Sequence, residues 1–115
     1  MKIPQFKIYW DETDIDAIKS SIMRGQAWAE GPNIELFEQK LAEYLGVQGV
    51  LVCNSGTSAL HMAVIASGIK HFHEVIVPSF TFIATANAVK FVGATPVFAD
   101  IEEETLGLDP VDVER

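Results

Sequence analysis

The chain holds a single cysteine, Cys53, in 115 residues. No disulfide can form within it, and a reducing, cytoplasmic setting is the expectation. Basic side chains are scarce: 8 Lys and Arg stand against 16 Asp and Glu, a formal charge of −8. A nucleic-acid surface needs a basic footprint and an anionic-lipid anchor needs a polybasic cluster, so neither partner is expected. No apolar run approaches the roughly 20 residues of a membrane-spanning helix. Met1–Trp10 lacks the apolar core of a secretory leader, and none is expected. Gly-Lys-Ser/Thr and Gly-x-Gly-x-x-Gly are both missing, which excludes the two commonest phosphate-binding loops. The sequence also lacks internal repeats, low-complexity tracts and a linker.

What is present has the balance of a globular chain, with 49% apolar and 21% charged residues. Helical and strand patterns alternate. Ile15, Ile18 and Ile22 recur at helical spacing and predict a first helix over Asp11–Arg24. Asp11, Thr13 and Asp14 cap its start, and Gly25 suits its end. Gly31-Pro32 opens a second helix, whose expected buried face is Ile34, Phe37, Leu41 and Leu45, with Gly46 as the stop. Val50–Cys53, Glu74–Val77 and Thr95–Ala99 are short apolar runs that read as strands buried on both faces. Between them lie helices over Ala59–Ser67 and Thr81–Val92, and Asp109-Pro110 begins another. Strands that alternate with helices predict parallel βαβ units. Glu102-Glu103-Glu104 reads as a solvated connection.

Two of the strand-to-helix turns carry chemistry. In Cys53-Asn54-Ser55-Gly56-Thr57-Ser58 the chain leaves a strand, turns on small residues and enters a helix. The first amides of a helix lack partners inside it and sit at the positive end of its dipole. Gly56, Thr57 and Ser58 therefore form a plausible phosphate cradle, although the local pattern by itself favours an ordinary helix cap. Pro78-Ser79-Phe80-Thr81-Phe82 leaves the next strand, at the end of an α/β sheet where ligands collect. An aromatic ring there can stack on a planar ligand. The alternative is that Phe80 and Phe82 fill the core. His71-Phe72-His73-Glu74 raises a metal site as an idea, but a variant turn is the preferred reading, and no metal is expected. His61, inside a helix, reads as packed or half exposed and not catalytic.

The blocks Trp28-Ala29-Glu30-Gly31-Pro32, Phe37-Glu38 and Ala42–Gly46 resemble the opening of the DegT/DnrJ/EryC1/StrS sugar aminotransferases. So do Asn54–Leu60, Glu74–Ser79, Thr81–Thr85 and Gly93–Asp100, in the family's order and spacing. The resemblance implies an α/β fold. The chain would be the N-terminal part of the large domain of a fold-type-I pyridoxal-phosphate enzyme, with three βα units, parallel strands and an incomplete sheet. Residues 1–115 would form part of that cofactor-binding domain, with 1–46 as an N-terminal helical segment. The family moves an amino group, usually from glutamate, onto a keto group of a nucleotide-linked sugar. By resemblance, Gly56, Thr57 and Ser58 hold the phosphate of pyridoxal phosphate, Phe82 stacks on its ring, and Trp28–Gly31 lies near the active site of a homodimer.

The chain also departs from the family pattern. Where members have Gly-Asp before the Glu-Val-Ile strand, this chain has Phe72-His73. The resemblance covers about the first third of a family member. The lysine that captures the cofactor and the aspartate that pairs with its ring nitrogen belong to the remainder. Neither Lys70 nor Lys90 matches that lysine, so no catalytic residue is assigned. Three functional readings follow: the N-terminal portion of a sugar aminotransferase, inactive alone; a non-catalytic phosphate- or pyridoxal-phosphate-binding fragment; or a truncated reading frame without its own function. In the family the first strand is not adjacent to the next two. The chain alone is accordingly expected to be poorly stable, to dimerise, or to close its strands differently.

Overall fold

A computed structural model describes residues 3–4, 6–27 and 31–115. The chain divides into two compact units, Met1–Leu51 and Val52–Arg115.

The first unit carries α1 (Glu12–Met23) and α2 (Pro32–Leu45). The α1 start is a capping box: Asp11 accepts from the Thr13 amide at 2.8 Å, and Asp14 accepts from the Asp11 amide at 2.9 Å. Pro32 opens α2 and Gly46 closes it in the left-handed conformation. Asn33 donates to the Ser21 hydroxyl at 3.0 Å, which ties the first turn of α2 to α1. Both helices match expectation in place but not in burial. Ile15, Ile18, Ile22, Phe37 and Leu45 are exposed, and Ile34 and Leu41 are only half buried. Amphipathic spacing shows which face of a helix is apolar. It does not supply the layer that would cover that face. Of the Trp28–Gly31 block, residues 28–30 lie outside the described residues. Gly31 is described, and a Cβ there would meet the Ala27 carbonyl oxygen at 2.6 Å, so only glycine fits.

The second unit contains α3 (Gly56–Ala66), β1 (Glu74–Pro78), α4 (Ala84–Phe91), β2 (Thr95–Ala99) and α5 (Pro110–Val113). The strands pair in parallel, from Glu74 opposite Thr95 to Pro78 opposite Ala99, as a single βαβ unit. Val77, Val89 and Ala94 form the core between sheet and α4, with Val75, Ile69, Ala86 and Val92 around them. α3 packs on α4, where His61 meets Phe91 edge-on at 5.3 Å. The opposite sheet face stays open at Ile76 and Val97.

The fold class stands: mixed α/β with parallel strands and an incomplete sheet. The difference lies at Val50–Cys53, which joins no strand. A strand exists only where a neighbour completes its ladder. That segment lies outside the β1–β2 ladder, the sheet formed among the described residues. Among the described residues no helix is long and apolar enough to cross a membrane.

Candidate cofactor site

The cradle segment folds from its own turn chemistry. Ser55 is extended and caps α3, its hydroxyl oxygen accepting from the Ser58 amide at 3.1 Å. The Ser55 hydroxyl donates to Ser58 Oγ at 3.1 Å, and Ser58 Oγ donates to Asn54 Oδ1 at 2.7 Å. The helix therefore begins at Gly56, three residues earlier than the apolar pattern predicts. The amides of Gly56 and Thr57 precede the first intrahelical bond, that of Ala59 to the Ser55 carbonyl at 3.0 Å. The space a Cβ would enter at Gly56 is open within 4 Å. Of the three expected phosphate donors, the Ser58 amide is thus engaged by Ser55, and those of Gly56 and Thr57 are available. The donor set suits an anion: two amides at a helix N-terminus and the Thr57 hydroxyl, with no carboxylate in the turn.

Phe82 lies in the turn before α4, not inside the helix. Its carbonyl accepts from the Thr85 amide at 3.0 Å, and Thr81 Oγ1 lies 3.3 Å from Thr85 Oγ1. The ring is 75% exposed, and Phe80 is exposed as well, so neither fills the core. An exposed ring at the carboxyl end of a parallel strand is placed to stack on a ligand.

The same end of the sheet is tied by groups the sequence did not single out. The Ser79 amide donates to the Ala99 carbonyl at 2.8 Å, and the Ser79 hydroxyl donates to Asp100 at 3.4 Å. The Asp100 amide donates to Asp112 at 2.7 Å, which seats α5 against the end of β2. Asp109 caps α5, as its Asp-Pro signature predicts. The spacing of Ser55 and Ser58 was the available signal for the cradle clasp. Asp112 carried no local signal for its bond to a residue twelve positions away.

Lys70 precedes β1 and Lys90 lies in the last turn of α4. Both belong to the amino-terminal end of the strands, away from the turns that carry Gly56 and Phe82. They are the only lysines of this unit.

His71 and Phe72 form a turn, the preferred reading, and β1 begins at Glu74. His71 Nδ1 donates to the Gly93 carbonyl at 2.9 Å, and His73 Nδ1 accepts from the Lys70 amide at 3.2 Å. Among the described residues no group of three metal-ligating side chains converges.

Two hydrogen-bonded carboxylates stand apart electrostatically. The Thr13 hydroxyl and amide hold Asp11 below the usual Asp value of 3.8. The Thr105 hydroxyl, with the amides of Glu104 and Thr105, holds Glu102 below the usual Glu value of 4.5.

Comparison with known proteins identifies the company this chain keeps. The profile of the DegT/DnrJ/EryC1/StrS aminotransferase family matches residues 9–115. A GDP-perosamine synthase of Caulobacter vibrioides is 50% identical over 78 residues, which is 68% of this chain and 21% of that protein. The crystal structure of a DegT DnrJ EryC1 StrS aminotransferase from Brucella abortus superposes with a TM-score of 0.80 at 42% identity, over 90% of this chain and 28% of that one. NtdA from Bacillus subtilis, crystallised with bound cofactor PMP (pyridoxamine phosphate), superposes at 0.78 and 32% identity, over 90% of this chain and 25% of that one. The chain thus spans between a fifth and a third of the length of the relatives it matches.

Proposed function

The chain belongs to the DegT/DnrJ/EryC1/StrS aminotransferase family, and from that premise we propose that it supplies the phosphate-cradling part of an enzyme that aminates a nucleotide-linked keto sugar. The observation that carries this reading is the start of α3, where the amides of Gly56 and Thr57 are left without partners in a turn free of negative charge. The residues fit the phosphate of pyridoxal phosphate. Gly56, Thr57 and the adjoining Ser58 form its cradle, and the exposed Phe82 ring offers a face to its pyridine. When bound, that cofactor supplies the electron sink through which amino groups are exchanged. The chain's own contribution is binding and orientation: dipole and amides for the phosphate, an aromatic face for the ring.

The 115-residue chain alone binds without turnover in this reading, because by resemblance none of its lysines matches the lysine that captures the cofactor. The GDP-linked sugar named for the Caulobacter relative supports a nucleotide-sugar substrate. Glutamate as donor, a homodimer and a cytoplasmic location complete the proposal by family resemblance.

Calorimetric titration with pyridoxal phosphate tests it. Saturable one-to-one binding is expected, weakened several-fold by Thr57→Ala and by Phe82→Ala. Binding indifferent to both substitutions, or none, overturns the assignment.

A further inference from the structure

We propose that the outer edge of β1 is a docking surface for a second copy of this chain, which pairs antiparallel to it about a two-fold axis at Ile76 and joins the two sheets into one. This pairing does not draw on the cofactor reading.

Two bonds fix which backbone groups face outward. The Thr95 amide donates to the His73 carbonyl at 2.9 Å, and the Ser79 amide donates to the Ala99 carbonyl at 2.8 Å. Backbone groups alternate sides along a paired strand. Val75 and Val77 therefore face β2, and Glu74, Ile76 and Pro78 face away from it. On β2 the outward residues are Pro96 and Phe98. Among the described residues, no group bonds to these outward amides and carbonyls.

The two edges are not equivalent. β2 carries Pro96 within it, and the missing N–H leaves Phe98 as the single donor of that edge. Proline at such a position protects an edge from pairing. β1 presents donors at Glu74 and Ile76, and its only proline is its last residue. One open edge and one blunted edge give a closed pair of chains and not a fibre.

The β1 edge is complementary to itself. With Ile76 opposite the second copy's Ile76, the two residues exchange both of their backbone bonds. Glu74 in each chain then donates to the Pro78 carbonyl of the other. Every outward donor of β1 finds an acceptor. Glu74 lies opposite proline in this register and not opposite Glu74, so like charges are kept apart. Ile76 and its ladder neighbour Val97 are 43% and 38% exposed on the open sheet face. They continue into the second copy's Ile76 and Val97 as one apolar row. Phe72 and Phe80 flank the strand on either side and are exposed. The antiparallel arrangement brings the Phe72 end of one chain to the Phe80 end of the other. It also brings the end that carries Lys70 and Lys90 to the end that carries Asp100 and Asp112. A parallel partner would set lysine against lysine, so the charge pattern favours the antiparallel pair.

Sedimentation velocity of the 115-residue chain from micromolar to millimolar concentration, joined to amide exchange, tests the surface. A monomer–dimer equilibrium is expected. As the dimer fills, the Glu74 and Ile76 amides should gain protection while that of Phe98 does not. Ile76→Pro removes an outward donor from each chain and spares the β1–β2 ladder, so it should weaken the dimer by about 30-fold, the worth of two net hydrogen bonds. Protection of the Val77 and Val97 amides checks that the ladder survives. Ile76→Val keeps donor and side-chain shape and should dimerise as the wild type does. Pro96→Val gives β2 a second donor and should carry association beyond the dimer. For direction, a nitroxide on Phe72→Cys in a Cys53→Ser background should broaden the Ser79 and Thr81 resonances of isotope-labelled wild-type chains mixed with it. A chain that stays monomeric to millimolar concentration overturns the proposal. So does a dimer that leaves the Ile76 amide unprotected, wild-type growth beyond the dimer, or a folded Ile76→Pro chain that dimerises as tightly as the wild type. Should Ile76→Pro not fold, concentration-dependent protection at Ile76 in the wild type decides by itself.

Discussion

Phe72 stands where the resemblance to the family implies glycine, and its backbone is of the kind that suits glycine. Its φ is +74°, in the left-handed region that L-residues avoid, and its side chain is 87% exposed. The ring leans on His71 at 3.9 Å between centroids, and His71 is in turn fixed on Gly93. Gly93 has φ +77°, and a Cβ there would approach His71 Nδ1 to 3.2 Å. The turn tolerates Phe72 because its other end is pinned by the Gly93 contact. Phe72→Gly should therefore stabilise the chain by about 1 kcal/mol, read as a higher urea midpoint, because it removes left-handed strain and loses little burial. A lower midpoint would mean that the ring stack outweighs the strain. Glu102 offers a second test at this scale. Its carboxylate collects the Thr105 hydroxyl and the Glu104 and Thr105 amides, and its folded pKa is depressed. The stability it contributes is present above the usual Glu value and is lost as pH falls through the lower folded one. The protection factor of the Thr105 amide, its exchange rate relative to the free-peptide rate at the same pH, is expected to fall on acidification through that window, and Glu102→Gln should abolish the step.

At the scale of elements, caps explain where the helices begin. α1 starts at Glu12 because the carboxylates of Asp11 and Asp14 satisfy its first amides. Asp11→Ala should lower helix content in the first unit by circular dichroism, while Asp11→Asn, which keeps an acceptor, should retain most of it. α3 starts at Gly56 because Ser55 caps it, so Ser55→Ala should cost about 1 kcal/mol and fray the cradle turn. Strands obey a different rule. Glu74–Pro78 and Thr95–Ala99 were legible in sequence as apolar runs, and they form because each is the other's partner. Val50–Cys53 is similarly apolar but lies outside the β1–β2 ladder and forms no strand. Helices make their bonds within themselves, and caps sit beside them in sequence. A strand's bonds depend on a segment that no local pattern specifies.

For the molecule as a whole, the core is small. Among the described residues the buried apolar side chains are Val77, Ala84, Ala88, Val89, Ala94 and Ala99, all of them small and all in the second unit. Large apolar groups such as Ile18, Ile22, Leu51, Phe80 and Ile83 stay exposed. A surface of that kind associates, held in check by the −8 charge. The isolated 115-residue chain is expected to elute above monomer size in proportion to its concentration, and to melt broadly. A sharply melting, concentration-independent monomer would contradict this. Added salt should favour association by screening the charge.

The sequence by itself determined the five helices, the two strands that pair, the caps at Asp11 and Asp109, the stop at Gly46 and the family, while also marking a strand at Val50–Cys53 that does not form. By its resemblance to that family it also pointed to Gly56, Thr57, Ser58 and Phe82 as the place for a phosphate and a ring. These are features of residues within a few positions of one another, where spacing, dipole and turn chemistry act. The tertiary structure alone decided that Val50–Cys53 is left out of the sheet, and that Ile15, Ile18 and Ile22 face solvent. It also decided that Phe82 is exposed instead of buried, that Asp112 reaches Asp100, and that His71 and His73 hydrogen-bond to the backbone at Gly93 and Lys70. Each of these depends on what a distant segment places nearby, and a linear pattern can mark an apolar face without stating what will cover it.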